Sequence, residues 1–117
     1  MKFMLMIIDD EVAQSKMSAA EQERMFKTVR AIEQELQAKK LLVDSRALRP
    51  SAEAATVRIE NGAPIVTEGP FAETKEVLGG YFLIECASKD EAIRWAARFP
   101  AVGSSSVEVR PIWEMSS

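Results

Sequence analysis

Histidine is absent from the 117 residues, and cysteine occurs once, at Cys86. Without histidine the chain lacks the side chain most used for proton transfer near neutral pH, and it lacks the ligand set of an ordinary zinc site. Proton chemistry is left to carboxylates, lysine, arginine, one phenol and one thiol. A single cysteine cannot close an internal disulfide, so the default compartment is a reducing cytoplasm. Cys86 has no histidine to activate it and sits in an apolar run, which reads as packing. No window approaches the roughly 18 continuous apolar residues of a membrane span. The opening MKFMLMII is followed by Asp9, Asp10 and Glu11 rather than by the small residues of a cleavage site, so it reads as a first strand and no membrane partner is expected. Neither charge sign dominates: 15 basic and 18 acidic residues give a net charge of -3. Such a chain has no field to attract a polyanion, and nucleic acid is not expected as a partner.

What is present describes one domain over residues 1–117, with 47% hydrophobic and 28% charged residues. Residues 2–8 are apolar on both parities, as in a central strand covered on both faces, and the acids at 9–11 are expected to end it. Ser18 and Glu21 have capping-box spacing, and Met25, Val29, Ile32 and Leu36 form the apolar stripe of a helix that starts there. Strands are expected over 41–48, 55–60 and 80–87 and from 106 to 113. Asn61-Gly62 marks a hairpin from about Ala55 to Thr67. Ser88 and Glu91 repeat the capping spacing before a second helix that runs to Phe99 and stops at Pro100. The stretch TEGPFAETKEVLGG reads as a turn in which Phe71 anchors the loop in the core and Glu73, Lys75 and Glu76 begin a short helical turn ended at Gly79-Gly80. It lacks the repeated glycines and lysine-hydroxyl pair of a phosphate loop.

The element order strand, helix, strand, hairpin, strand, helix, strand is a split βαβ pattern with an added hairpin. It predicts an α+β sandwich with helices on one face of a mainly antiparallel sheet. Strand parity then sorts the side chains. With Phe82, Ile84 and Cys86 toward the helices, Tyr81, Glu85, Arg58, Glu108 and Arg110 converge on the open face. Two readings stand: a polar pocket in which arginines orient a ligand carboxylate and a glutamate moves a proton, or cross-strand ion pairs on a solvated face. A dimer that packs two such faces together requires their charges to be paired or to serve a ligand.

EGPFAETKEVLGGYFLIECASKDEAIRWAARFP, continued by SVEVRPIWEM and preceded by MKFMLMIID, strongly resembles the DGPF-domain branch of the YCII-related proteins over nearly the whole length. The resemblance implies a ferredoxin-like dimeric α+β barrel, here with an added β-hairpin, in which two protomers press their sheet faces together, and a cleft near the motif loop. The chain departs from the pattern at Glu68, where the family has aspartate. The histidine-aspartate pair of some other YCII-related enzymes has no counterpart here. The expectation is a homodimer that binds a small anionic molecule, with Glu68 handling a proton, Arg58 and Arg110 contacting the anion, Tyr81 and Phe71 as pocket walls and Glu85 beside them. No cofactor is expected. The rival is a non-catalytic interaction module linked to an extracytoplasmic-function sigma factor. A metal site of Asp9, Asp10 and Glu68 is a third and weaker reading, because oxygen ligands from separate loops would have to converge.

Overall fold

Phe3 and Leu5 are fully buried, while their neighbours Met4 and Met6 are only half-buried. The first strand, β1 (Lys2–Asp10), therefore lies at the centre of a sheet with one face better covered than the other. The computed structural model describes residues 1–100 and 106–115. After β1 come a short helix α1 (Glu11–Ser15), a long helix α2 (Ala19–Ala38) and a strand β2 (Leu42–Ala47). A single 3-10 turn (Ser51–Glu53) leads into the hairpin β3 (Ala55–Glu60) and β4 (Ala63–Glu68), and β5 (Glu76–Glu85), α3 (Lys89–Ala96) and β6 (Ser106–Pro111) complete the chain.

Four strands form an antiparallel sheet in the order β2-β5-β1-β6, whereas β3 and β4 pair only with each other in a separate two-stranded sheet. The chain is thus mixed α+β with antiparallel sheets, and neither sheet closes into a barrel among the described residues. No described helix is long and apolar enough to cross a membrane. The core lies on the helix side of the large sheet. Phe3, Leu5, Phe82 and Ile84 from the strands, with Cys86 just past the end of β5, meet Ile32 and Leu36 of α2 and Ala92 and Trp95 of α3. Burial also raises the Cys86 thiol pKa, in keeping with a packing role.

Both helix starts expected from the sequence form. Ser18 accepts from the Glu21 N–H, and the Glu21 carboxylate accepts from the Ser18 N–H, a complete capping box. At α3, Ser88 accepts from the Glu91 N–H at 3.2 Å, but the Glu91 carboxylate reaches one residue further back, to the Ala87 N–H at 2.9 Å. Asn61 and Gly62 both adopt positive φ, 51° and 78°, as the two-residue hairpin turn requires.

Three expectations need correction. Residues 76–80 belong to β5 rather than to a helical turn, because backbone pairing with β1 extends to Asp10↔Glu76. Phe71 is 77% exposed and does not anchor its loop in the core; instead the Arg58 guanidinium lies 5.7 Å from its ring centroid. Asp9 to Glu11 do not simply end the first strand, since Asp10 caps α1, a helix the sequence pattern did not show.

Candidate functional site

The three consecutive acids at the end of β1 meet three different environments. Asp10 is 2% exposed, accepts from the Ala13 N–H at 3.0 Å and has the Lys75 ammonium 3.6 Å away. The backbone donor first, and then Lys75, hold its carboxyl below the ordinary aspartate range against the opposing effect of burial. Lys75 comes from the EGPFAETKE stretch, so this pair ties the motif loop to the end of β1. Glu11 accepts from both the N–H and the hydroxyl of Ser51, which likewise lowers its pKa. Two of the acids are therefore structural ties between segments distant in sequence.

Asp9 differs. It shares strand parity with Phe3, Leu5 and Ile7, so its carboxyl projects to the helix side, where burial raises its pKa. A hydrogen bond from the Gln14 side chain works against that rise, and the nearby Glu11 charge adds to it. The carboxyl lies against the backbone of Gly79, the extra residue of a β-bulge at which pairing passes from Ile7↔Gly80 to Ile8↔Leu78. A Cβ on Gly79 would fall 1.7 Å from the Asp9 Oδ2 atom. Any side chain there must displace the carboxyl. Gly80 has a separate reason to be glycine, because its Cβ would lie 2.7 Å from the Arg46 carbonyl oxygen on the neighbouring strand β2. The two glycines thus serve a carboxyl and a close backbone approach.

Asp9 lines a cleft of about 240 Å³ between α2 and the sheet, with Ile7, Met25, Phe26, Val29 and Phe99 among its walls. Met25 and Val29 belong to the α2 stripe that the sequence assigns to the core. Only the C-terminal half of that stripe, Ile32 and Leu36, is fully buried, and the N-terminal half roofs the cleft. The cleft combines largely apolar walls with the Asp9 carboxyl, whose neutral form burial favours, and it is also lined by Glu33 and Arg46.

The residues expected on the open face divide into two groups. Tyr81, Glu85, Glu108 and Arg110 do share that face, as the register Met6↔Tyr81, Lys2↔Glu85, Met6↔Glu108 and Met4↔Arg110 shows. Arg58 does not join them within one chain, because β3 lies outside the large sheet. Glu68 ends β4 and is exposed. The open-face charges pair along their strands rather than across them. Arg110 meets Glu108, and Arg46 meets Asp44 at 2.7 Å. The Tyr81 hydroxyl donates to the second Asp44 oxygen at 2.9 Å, which raises the phenol pKa. As for metal, no group of three candidate ligands converges among the described residues: Asp9 and Asp10 point to opposite faces, and Glu68 sits on the hairpin.

Sequence reasoning named Asp9 only as a candidate metal ligand. The available signal was a carboxylate on the core-facing parity of β1; the Gly79-Gly80 pair adds to it only once pairing with β1 places both in a strand, which is where a polar group approaches a backbone.

The chain belongs to the YCII-related domain family, whose pattern it matches over residues 1–116. It is also similar to an uncharacterized protein of Rhizobium meliloti (strain 1021), with 41% identity over 115 residues, covering 96% of this chain and 92% of that protein.

Proposed function

We propose that this chain is a DGPF-branch member of its family, ferredoxin-like in each copy and dimeric through the open sheet face. In this reading it binds a small carboxylic acid in the cleft beneath α2, with Asp9 as the group that holds or gives up the shared proton. The observation that carries the ligand assignment is the position of Asp9, whose carboxyl is half-buried among apolar walls and pressed on the Gly79 backbone with its pKa raised. A neutral carboxyl donates its O–H to a ligand carboxylate, and two carboxyl groups in contact share one proton because both cannot stay charged. Asp9 also borders an adjoining cleft of about 530 Å³ that shares Ile7, Met25, Val29 and Phe99, so the space beside it takes a small ligand with a largely apolar body. Proton handling thus passes from the exposed Glu68 to Asp9.

The dimer is supported by the open face. Met4, Met6 and Leu83 form an apolar strip there, the flanking Glu108–Arg110 and Asp44–Arg46 pairs are each neutral, and Glu85 faces Lys2 across the register, so the charges of the face balance.

Benzoate, with benzyl alcohol as the uncharged control, tests the ligand reading by titration followed in NMR spectra at pH 5 and pH 8. Wild type is expected to bind benzoate about tenfold more tightly at pH 5, because the lower pH favours the protonated Asp9 donor. Asp9→Asn should lose that pH dependence. The same pH dependence in both proteins, or equal affinity for benzyl alcohol, would remove Asp9 from the binding role.

A further inference from the structure

The hairpin of β3 and β4 leaves an apolar face uncovered. Val57 pairs with Val66 and Ile59 with Pro64, so these four side chains share one face. Val57, Ile59 and Val66 are 58%, 68% and 63% exposed. The opposite face carries Thr56, Arg58, Glu60 and Thr67, with Ile65 its largest apolar member. Apolar on one face and mostly polar on the other is the pattern of a sheet that packs on something. A two-stranded hairpin alone in water is marginally stable.

The hairpin is nonetheless a built element. Asn61-Gly62 closes its tip, and its base is pinned by the Gly69 N–H donating to the Ala54 carbonyl at 2.6 Å and by the Thr56 hydroxyl donating to the Gly69 carbonyl at 2.9 Å. It projects as an arm. The described chain has a radius of gyration of 16.3 Å and extents of 48 × 47 × 19 Å, against about 13 Å for a compact domain of this length.

We propose that this arm clasps a second copy of the chain, laying Val57, Ile59 and Val66 over the rim of the partner's sheet, beside the paired open faces, while the partner's arm does the same in return. This rests on the dimer of the preceding reading and adds the element that completes it. Two uncovered apolar surfaces on one chain, which the anchored arm does not bring together, are satisfied at once by a two-fold exchange. Size agrees. A four-stranded face of about six residues per strand has a footprint of roughly 400 Å² from strand spacing and rise, well short of the ~800 Å² per partner of a standard stable interface. The arm adds about half as much again, which brings each partner to roughly 600 Å², the lower end of the standard range.

Sedimentation equilibrium separates the possibilities, with circular dichroism as the folding control. Ile59→Asp, on the apolar face, is expected to raise the dimer dissociation constant at least 100-fold with the fold intact. Ala63→Lys, on the opposite face, should change it less than threefold. Replacing residues 55–68 by a short glycine-serine link, which the adjacent Ala54 and Gly69 allow, should likewise give a folded monomer. A wild-type dimer that neither Ile59→Asp nor the deletion weakens would overturn the clasp and leave the dimer standing. A wild type that is monomeric at millimolar concentration would overturn both. Protection of the Val57 and Ile59 amides from hydrogen exchange in a monomer would show the arm folded back on its own chain, which also overturns the clasp.

Discussion

At the scale of single residues, environment matters more than type. Asp9, Asp10 and Glu11 are consecutive acids, yet one has its pKa raised and two have theirs lowered. Their contributions to stability therefore run in opposite directions with pH. The lowered groups stabilise above the ordinary carboxylate range and lose that effect as pH falls through their folded values. Asp9 stabilises most when protonated and loses its effect as pH rises through its raised value. Asp9→Asn, which stays neutral throughout, should gain stability over wild type as pH climbs from about 4 through that value. Urea midpoints measured across the range check this, and a difference that is flat or shrinks with pH would show that Asp9 is not burdened by burial. The parity of Asp9 was readable in the sequence. That Gly79 would leave room for its carboxyl was not, because the bulge depends on how β5 registers against β1.

At the scale of elements, local rules account for most of what forms. The capping box at Ser18, the hydroxyl cap at Ser88 and the Asn61-Gly62 turn each satisfy backbone groups with residues a few positions away, so their signals are complete in a short window of sequence. The end of α2 departs from rule. Lys40 takes φ of 60° where glycine is usual, and the Leu41 N–H closes onto the Leu36 carbonyl at 2.9 Å. Lys40→Gly is expected to stabilise the protein by about 0.5–1 kcal/mol, as relief of the left-handed backbone outweighs the entropy of glycine in the unfolded chain. Thermal or chemical denaturation reads this directly, and destabilisation would mean that the Lys40 side chain contributes more than its backbone costs. Element type is harder to read where the chain is polar. Residues 76–80 carry glutamate and two glycines, an unlikely strand by composition, and only pairing with β1 makes them one.

At the scale of the whole molecule, a single copy is a plate whose open sheet face and hairpin both leave apolar side chains in water. Leu83 sits on that face, opposite Met4 in the register. In the proposed dimer, Leu83→Lys is expected to raise the dissociation constant at least tenfold, since burying an unpaired ammonium in an interface opposes association. Analytical ultracentrifugation checks it, and an unchanged dimer would place the interface elsewhere.

The sequence by itself determined the strands as segments, the two capped helices, the hairpin, and that Tyr81, Glu85, Glu108 and Arg110 would share a face. Each of these follows from periodicity or capping within one segment. Only the tertiary structure decided that the hairpin stands outside the sheet and takes Arg58 with it, that half of the α2 stripe roofs a cleft, and that Asp9 occupies it. Those outcomes depend on contacts between residues far apart in the chain, such as Asp9 against Gly79 and Asp10 against Lys75, whose partners no local pattern specifies.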